Sequence, residues 1–160
     1  MSDLQIIDTQ FLEHVSGLAL ESARKRKNFN FHAADNDSSH RLLNGIEPGS
    51  YVPPHCHSDP SKDETIIVLR GKLGAVFFDK YGAITHNVLL QAGGDALAVN
   101  VPHGVFHTLA ALVPGTVFFE AKAGPYQPLT EAERANWAPP EGAPDAPAYQ
   151  ASIVALFSTK

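Results

Sequence analysis

The sequence predicts an all-β domain, a sandwich or small barrel of short strands. Three observations carry this reading. From residue 40 to 122, eight segments have strand length and strand composition, with turn signals about every ten residues. No helix-length gap interrupts them, which argues against a parallel α/β sheet. Gly and Pro, at 12 residues each beside nine Phe, mark a turn-rich β protein.

The elements follow in order. Residues 9–27 read as an amphipathic helix capped by Asp8 or Thr9, with Phe11, Leu12, Val15, Leu18, Ala19 and Ser22 on its apolar side. Its end, Arg24-Lys25-Arg26-Lys27, sets cations where they complement the helix dipole. Binding an anionic group is the alternative. Asn28-Phe29-Asn30-Phe31-His32 alternates like an extended arm. The predicted strands are Arg41–Glu47, Ser50–His57, Glu64–Arg70, Leu73–Asp79, Ala83–Leu90, Asp95–Val101, Val105–Ala111 and Thr116–Lys122. Half of the prolines fall between Pro125 and Pro147, which reads as an irregular arm running over the surface. The apolar, β-prone Ser152–Phe157 is expected to pair as a strand with the barrel or with a second subunit. The organisation is thus an N-terminal helix and arm (1–33), a barrel (34–123) and a Pro-rich arm with a terminal strand (124–160), within one structural domain.

Composition narrows the function classes. The formal net charge of −5 disfavours a nucleic-acid binder. A single Cys excludes an intrachain disulfide and a Cys-rich structural zinc site. The N-terminus lacks the layout of a signal peptide, and no apolar run reaches membrane-span length. The expectation is a cytoplasmic protein with a small-molecule ligand and neither nucleic acid nor membrane as partner.

Eight His stand against that single Cys. Residues i and i+2 of a strand share a face, so His55 and His57 project together. Glu64 opens the next strand, and His107 follows the turn Pro102-His103-Gly104. Three imidazoles and one carboxylate converging from separate strands suit a divalent transition metal. Asp59 and Asp63 are alternative carboxylates. Strand parity puts Tyr51 on the same face, as a proton donor or a barrel-lining aromatic. Arg41 is a candidate for holding a carboxylate or phosphate, and His32 for closing over the mouth as an acid–base group. Glu120, Lys122 and Tyr126 are candidate pocket residues. Cys56 alternates away from the site. His14, His40, His86 and His103 have no metal-like spacing.

The string Gly49-x5-His55-x-His57-x6-Glu64-x6-Gly71 resembles the first motif of the cupin superfamily, and Pro102-x-Gly104-x2-His107 resembles the core of the second. The His57–Glu64 gap is two or three residues longer than usual, and Ala111 stands where Asn is typical. Arg24-x-Arg26-x-Asn28-x-Asn30-x-His32, Arg41-Leu42-Leu43-Asn44 and Phe119-Glu120-Ala121-Lys122-x-Gly124-Pro125-Tyr126-x-Pro128-Leu129 are similar to the WbuC family of cupin-fold metalloproteins. The likeness runs over roughly residues 4–141. It implies a cupin jelly-roll barrel and one divalent metal per chain (Fe, Mn, Ni, Zn or Cu) held by His55, His57, Glu64 and His107. The family's reaction is not established. A metal-dependent isomerase or epimerase, lyase or dioxygenase acting on a saccharide-like molecule is one reading. A non-catalytic binding or sensing module is the other. Retention of all four ligands argues against a metal-free cupin epimerase. The family fold commonly pairs, so a homodimer is expected.

Overall fold

The computed structural model describes residues 4–158 of the chain. Helix α1 (Thr9–Glu21) leads into strands β1 (Arg26–Asn30), β2 (Ser39–Ile46), β3 (Glu64–Arg70), β4 (Lys72–Phe78), β5 (Ile84–Gln91), β6 (Ala98–Val101), β7 (Phe106–Ala111) and β8 (Thr116–Ala123). A single 3₁₀ turn at Glu131–Glu133 and helix α2 (Ala146–Ala155) complete it. One antiparallel sheet has the order β1-β2-β8-β3-β6, the other β5-β4-β7.

The two sheets face each other across a core of Ile46, Ile66, Val68 and Phe118 from the larger sheet and Leu73, Leu90 and Leu109 from the smaller. Each outer face is also covered. Helix α1 lays Val15, Phe11 and Leu12 over Leu43 and Val117, while α2 lays Ile153 and Phe157 over Val76, Phe78 and Ala110. Covering both faces removes the apolar–polar alternation from β4, where Leu73–Val76 are buried in a continuous run, and weakens it in β2, where Leu42, Leu43, Gly45 and Ile46 are all buried.

Several predicted boundaries move for local reasons. Asp8 does cap α1, accepting from the Phe11 amide at 2.9 Å, but the helix stops at Glu21 and not at residue 27. Ser22 is extended and Lys25 takes a left-handed φ of 54°. The basic run is therefore a turn and the start of β1, not a helix C-terminus. Phe29 on β1 reaches back to α1, edge-on to Phe11 at 5.0 Å. The arm is thus an edge strand in register with β2, Asn28 opposite Asn44.

No strand forms over Ser50–His57; only an isolated bridge at His55 remains. Pro53 and Pro54 lack the amide donors that a ladder needs. The predicted terminal strand at Ser152–Phe157 is instead the end of α2 and the turn after it. Pro147 sits in the first turn, where its missing donor costs nothing, and Ala146, Ala148, Ala151 and Ala155 favour helix. This helix packs on the chain's own smaller sheet, so the segment needs no second subunit to cover it. The Pro-rich arm is likewise more than a surface strap, because Trp137 packs against Phe78 with ring centres 4.9 Å apart.

Candidate metal centre

Inward-facing rows change from apolar to polar toward one end of the larger sheet. On β8 the row reads Phe118, Glu120, Lys122; on β2, Ile46 then Asn44; on β3, Val68, Ile66, Glu64. On β7 in the facing sheet, Ala111 and Leu109 lead to His107. The register that pairs Thr65 with Ala121 sets Glu64 beside Lys122. Their contact is 2.8 Å, Nζ to Oε1. Lys122 also reaches Glu120 at 2.7 Å, and Asn44 donates to Glu120 at 2.9 Å.

His55 and His57 come from the irregular segment before β3. The backbones of His55 and His107 exchange both hydrogen bonds, at 3.1 and 2.9 Å. His55 meets His107 at 4.7 Å and His57 at 5.4 Å between ring centres. The Nδ1 of His55 bonds the Pro53 carbonyl and that of His107 the Val105 carbonyl, both at 3.0 Å. This carbonyl bonding fixes ring orientation and tautomer and leaves Nε2 for the centre of the cluster.

Glu64 is 3% exposed. Its carboxylate lies between two rings, with Oε1 3.0 Å from His57 Nε2 and Oε2 3.0 Å from His107 Nε2. Burial alone would raise its carboxyl, but the donors on His107 and His57, with the Lys122 ammonium, hold it well below the usual carboxylate range. Burial, aided by neighbouring His107, pushes His55 down to about 3, so its ring is neutral near pH 7. Burial would lower Lys122, yet the Glu120 and Glu64 carboxylates keep it above its ordinary value.

In this arrangement Glu64 occupies the nitrogens a metal would need. Among the described residues, no group of three or more His, Cys, Asp or Glu stands in coordinating geometry. The donor chemistry nonetheless fits a divalent transition metal: imidazoles locked through Nδ1, a neutral His55 and one buried carboxylate. Coordination would exchange the two Nε2–Glu64 contacts for metal bonds. Neither alternative carboxylate points here. Asp63 accepts from the His103 amide and ring at 2.9 and 2.8 Å, and Asp59 accepts from Ser61.

The Pro-rich arm holds the two histidines in place. Arg134 bridges to His55, and the Cys56 amide donates to the Glu133 carbonyl at 3.0 Å. Glu133 Oε1 accepts from the Ser58 amide and hydroxyl, both at 2.8 Å, while Oε2 accepts from the Thr130 amide and hydroxyl at 2.8 and 2.9 Å. The amide donors of Ser58 and Thr130 pull its carboxyl down to about 2. A depressed folded value means the contribution is complete above the ordinary value of 4.5 and is lost as pH falls through about 2. The wild type is therefore expected to lose more stability than Glu133→Gln across that window, read from urea midpoints at stepped pH. Parallel curves for the two proteins would remove the carboxylate from this role. The clamp was not foreseen from the sequence, although Thr130-x-x-Glu133 carries the capping-box signature.

The other candidate residues separate. A cavity of about 200 Å³ is bounded by His55, His107, Glu64, Glu120, Lys122 and Asn44. Arg24, Arg26, Lys27 and Asn28 also line it, although the sequence reading had placed the two arginines in a helix. Tyr51 is buried beside Tyr149, and its hydroxyl donates to the Pro139 carbonyl at 2.7 Å. Burial pushes its phenol up. His32 stacks on His40 at 4.0 Å and bonds to the Arg41 backbone. It lines a neighbouring space of about 240 Å³ with Tyr126 and Lys122. The Arg41 side chain is exposed on β2. Lys122 borders both spaces.

Solved structures share this architecture. KdgF from Halomonas sp. superposes with a TM-score of 0.50 at 16% identity, over 79% of this chain and 90% of that one. A conserved protein of unknown function from Streptococcus pyogenes gives 0.53 at 9% identity, over 79% and 93%. A cupin-2 domain containing protein from Shewanella frigidimarina gives 0.46 at 22%, over 61% and 80%. The two facing antiparallel sheets are those of a cupin jelly roll. No curated protein matches the chain. No helix among the described residues is long and apolar enough to cross a membrane. A family model described as a domain of unknown function, DUF6016, matches residues 7–90, more than half of the 160 residues, and the chain belongs to that family.

Proposed function

We propose that the protein is a metal-binding cupin acting on a small polar molecule such as a saccharide derivative. The observation that carries this is the convergence of His55, His57, His107 and Glu64, three of which (His55, His107 and Glu64) line a small cavity, with two of the rings locked through Nδ1. His55, His57, Glu64 and His107 would hold one divalent ion, Fe, Mn, Ni, Zn or Cu. Such an ion supplies Lewis acidity toward a bound oxygen. The resemblance to WbuC-like cupin-fold metalloproteins supports the metal and names no reaction.

The chain's own residues supply orientation and proton handling. Asn44 and Glu120 offer a donor and an acceptor to hydroxyl groups. Lys122, between Glu64 and Glu120, sets a fixed ammonium donor beside the cluster. The small volume, about 200 Å³, restricts the ligand to a few-carbon or single-ring molecule.

One observation favours a non-catalytic ligand-binding module as the second reading. Tyr51 and His32, the acid–base groups expected from the sequence, are bonded instead to backbone, Tyr51 to the Pro139 carbonyl and His32 to Arg41. Elemental analysis of protein purified without added metal tests the first reading. The expected result is close to one transition-metal ion per chain, lost in the His55→Ala/His57→Ala variant. Metal-free wild type that gains no thermal stability from added Mn, Fe, Ni, Zn or Cu would overturn it.

A further inference from the structure

Two arginines share the cavity wall with His55, and their free N–H groups converge on a single carboxylate. Arg24 grips Glu141 with both arms of its guanidinium, Nε to Oε1 at 2.9 Å and Nη2 to Oε2 at 2.6 Å. Arg26 Nη2 meets the same Oε1 at 2.9 Å. Three N–H groups on one carboxylate form a complete recognition fork.

The fork is prepared from its far side. Arg26 Nη1 is anchored to the Tyr51 carbonyl at 2.9 Å and to the Ser50 hydroxyl at 3.3 Å, which leaves Nη2 to face outward. The Ser50 hydroxyl donates to the Arg24 carbonyl at 2.8 Å, which pins the backbone between the two arginines. Lys25, the residue separating them, is held at φ 54°, a conformation costly for a side chain with a Cβ. The backbone therefore accepts strain at the point that brings both guanidinium groups to one carboxylate.

Glu141 has little structural need to be there. The arm is already held by Trp137 on Phe78 and by the Tyr51–Pro139 hydrogen bond. The pair itself is open to water, with side-chain exposures of 61% for Arg24 and 36% for Glu141, so it adds little to stability. Arg24, Arg26 and His55 line both the central cavity and the larger space of about 650 Å³ that reaches Glu141, so the fork stands on the wall shared by the two spaces, next to the His cluster.

We propose that Arg24 and Arg26 form a carboxylate-binding subsite for an anionic substrate, a small sugar acid or hydroxy acid, and that Glu141 is its resident occupant, exchanged when the ligand arrives. The substrate class rests on the reading of the His cluster as the reacting centre, whereas the carboxylate site itself does not.

Titration calorimetry with galacturonate and with galactose tests it, on wild type, Glu141→Gln and Arg24→Met/Arg26→Met, with metal content measured on each sample. Glu141→Gln is expected to bind galacturonate about tenfold more tightly than wild type, with no change toward galactose. The double arginine variant is expected to lose any preference for the acid. Unchanged galacturonate affinity in Glu141→Gln, an equal gain for both sugars, or no binding of the acid by either protein overturns the subsite. Since Glu141→Gln leaves the Arg26 anchors on Ser50 and Tyr51 in place, its result stands even if the double variant fails to fold. A lost metal with an intact galacturonate preference would fault the reacting centre and leave the subsite standing.

Discussion

Replacing Lys122 with Met is expected to destabilise the metal-free protein by about 3 kcal/mol at pH 7. Among the described residues, Lys122 is the one cation bonded to Glu64 and Glu120 together, at 2.8 and 2.7 Å. Glu64 is 3% exposed, so water cannot take over. Without the ammonium, two carboxylates face each other across the pocket, and only the His donors and Asn44 remain. The change should show as a lower urea midpoint with an unaltered slope. A divalent cation supplied to the variant should restore more stability than it adds to wild type, because it answers the same carboxylate. A midpoint shift equivalent to less than about 1 kcal/mol would place the trio in effectively aqueous surroundings.

The second large effect is expected at Gly71. This residue is the whole connection between β3 in one sheet and β4 in the other, at φ +81°. A Cβ there would stand 2.8 Å from the Thr116 Cα, which is backbone and cannot swing aside. The left-handed conformation costs about 1–2 kcal/mol once a Cβ is present, and forcing the strands apart adds about 1–3 kcal/mol. Gly71→Ala should therefore lower Tm by roughly 10 °C, given about 2–4 °C per kcal/mol in a domain of this size. Gly104→Ala is the control: φ is +76° but nothing lies within 4 Å of the added carbon, so only the conformational cost applies. Equal losses at both glycines would discard the steric argument.

Much of this architecture was legible in local pattern. Glu64–Arg70 is a strand with the bounds read from the sequence, and β7 and β8 differ from expectation by a single residue. Turn chemistry and apolar runs carry that information over short range. The proposed ligands were legible too, since His55, His57, Glu64 and His107 come together. They do so by a different route from strand parity, because Pro53 and Pro54 prevent a strand and the arm holds the segment from outside. Parity failed for Tyr51 for the same reason. The Arg24–Arg26 fork was hidden by helix periodicity running on past Glu21, where Ser22 and the left-handed Lys25 break it. The β-branched Ile153-Val154 pair outweighed the alanines and Pro147 in the reading of the C-terminal segment. The Glu133 clamp spans 75 residues to Ser58, a separation over which local pattern is silent.

That separation has a consequence for assembly. During N-to-C synthesis, His55 and His57 are made long before the segment that holds them. Arg134, which bridges to His55, and Glu133, which holds Cys56 and Ser58 on either side of His57, come after every strand of both sheets. The sheets can pair first, with His55 bonded to His107 and the His57 carbonyl to Gly104, but the other side of the segment is closed only when the arm folds back. The centre is thus a late product of folding, and any ion it takes is captured by a nearly finished protein.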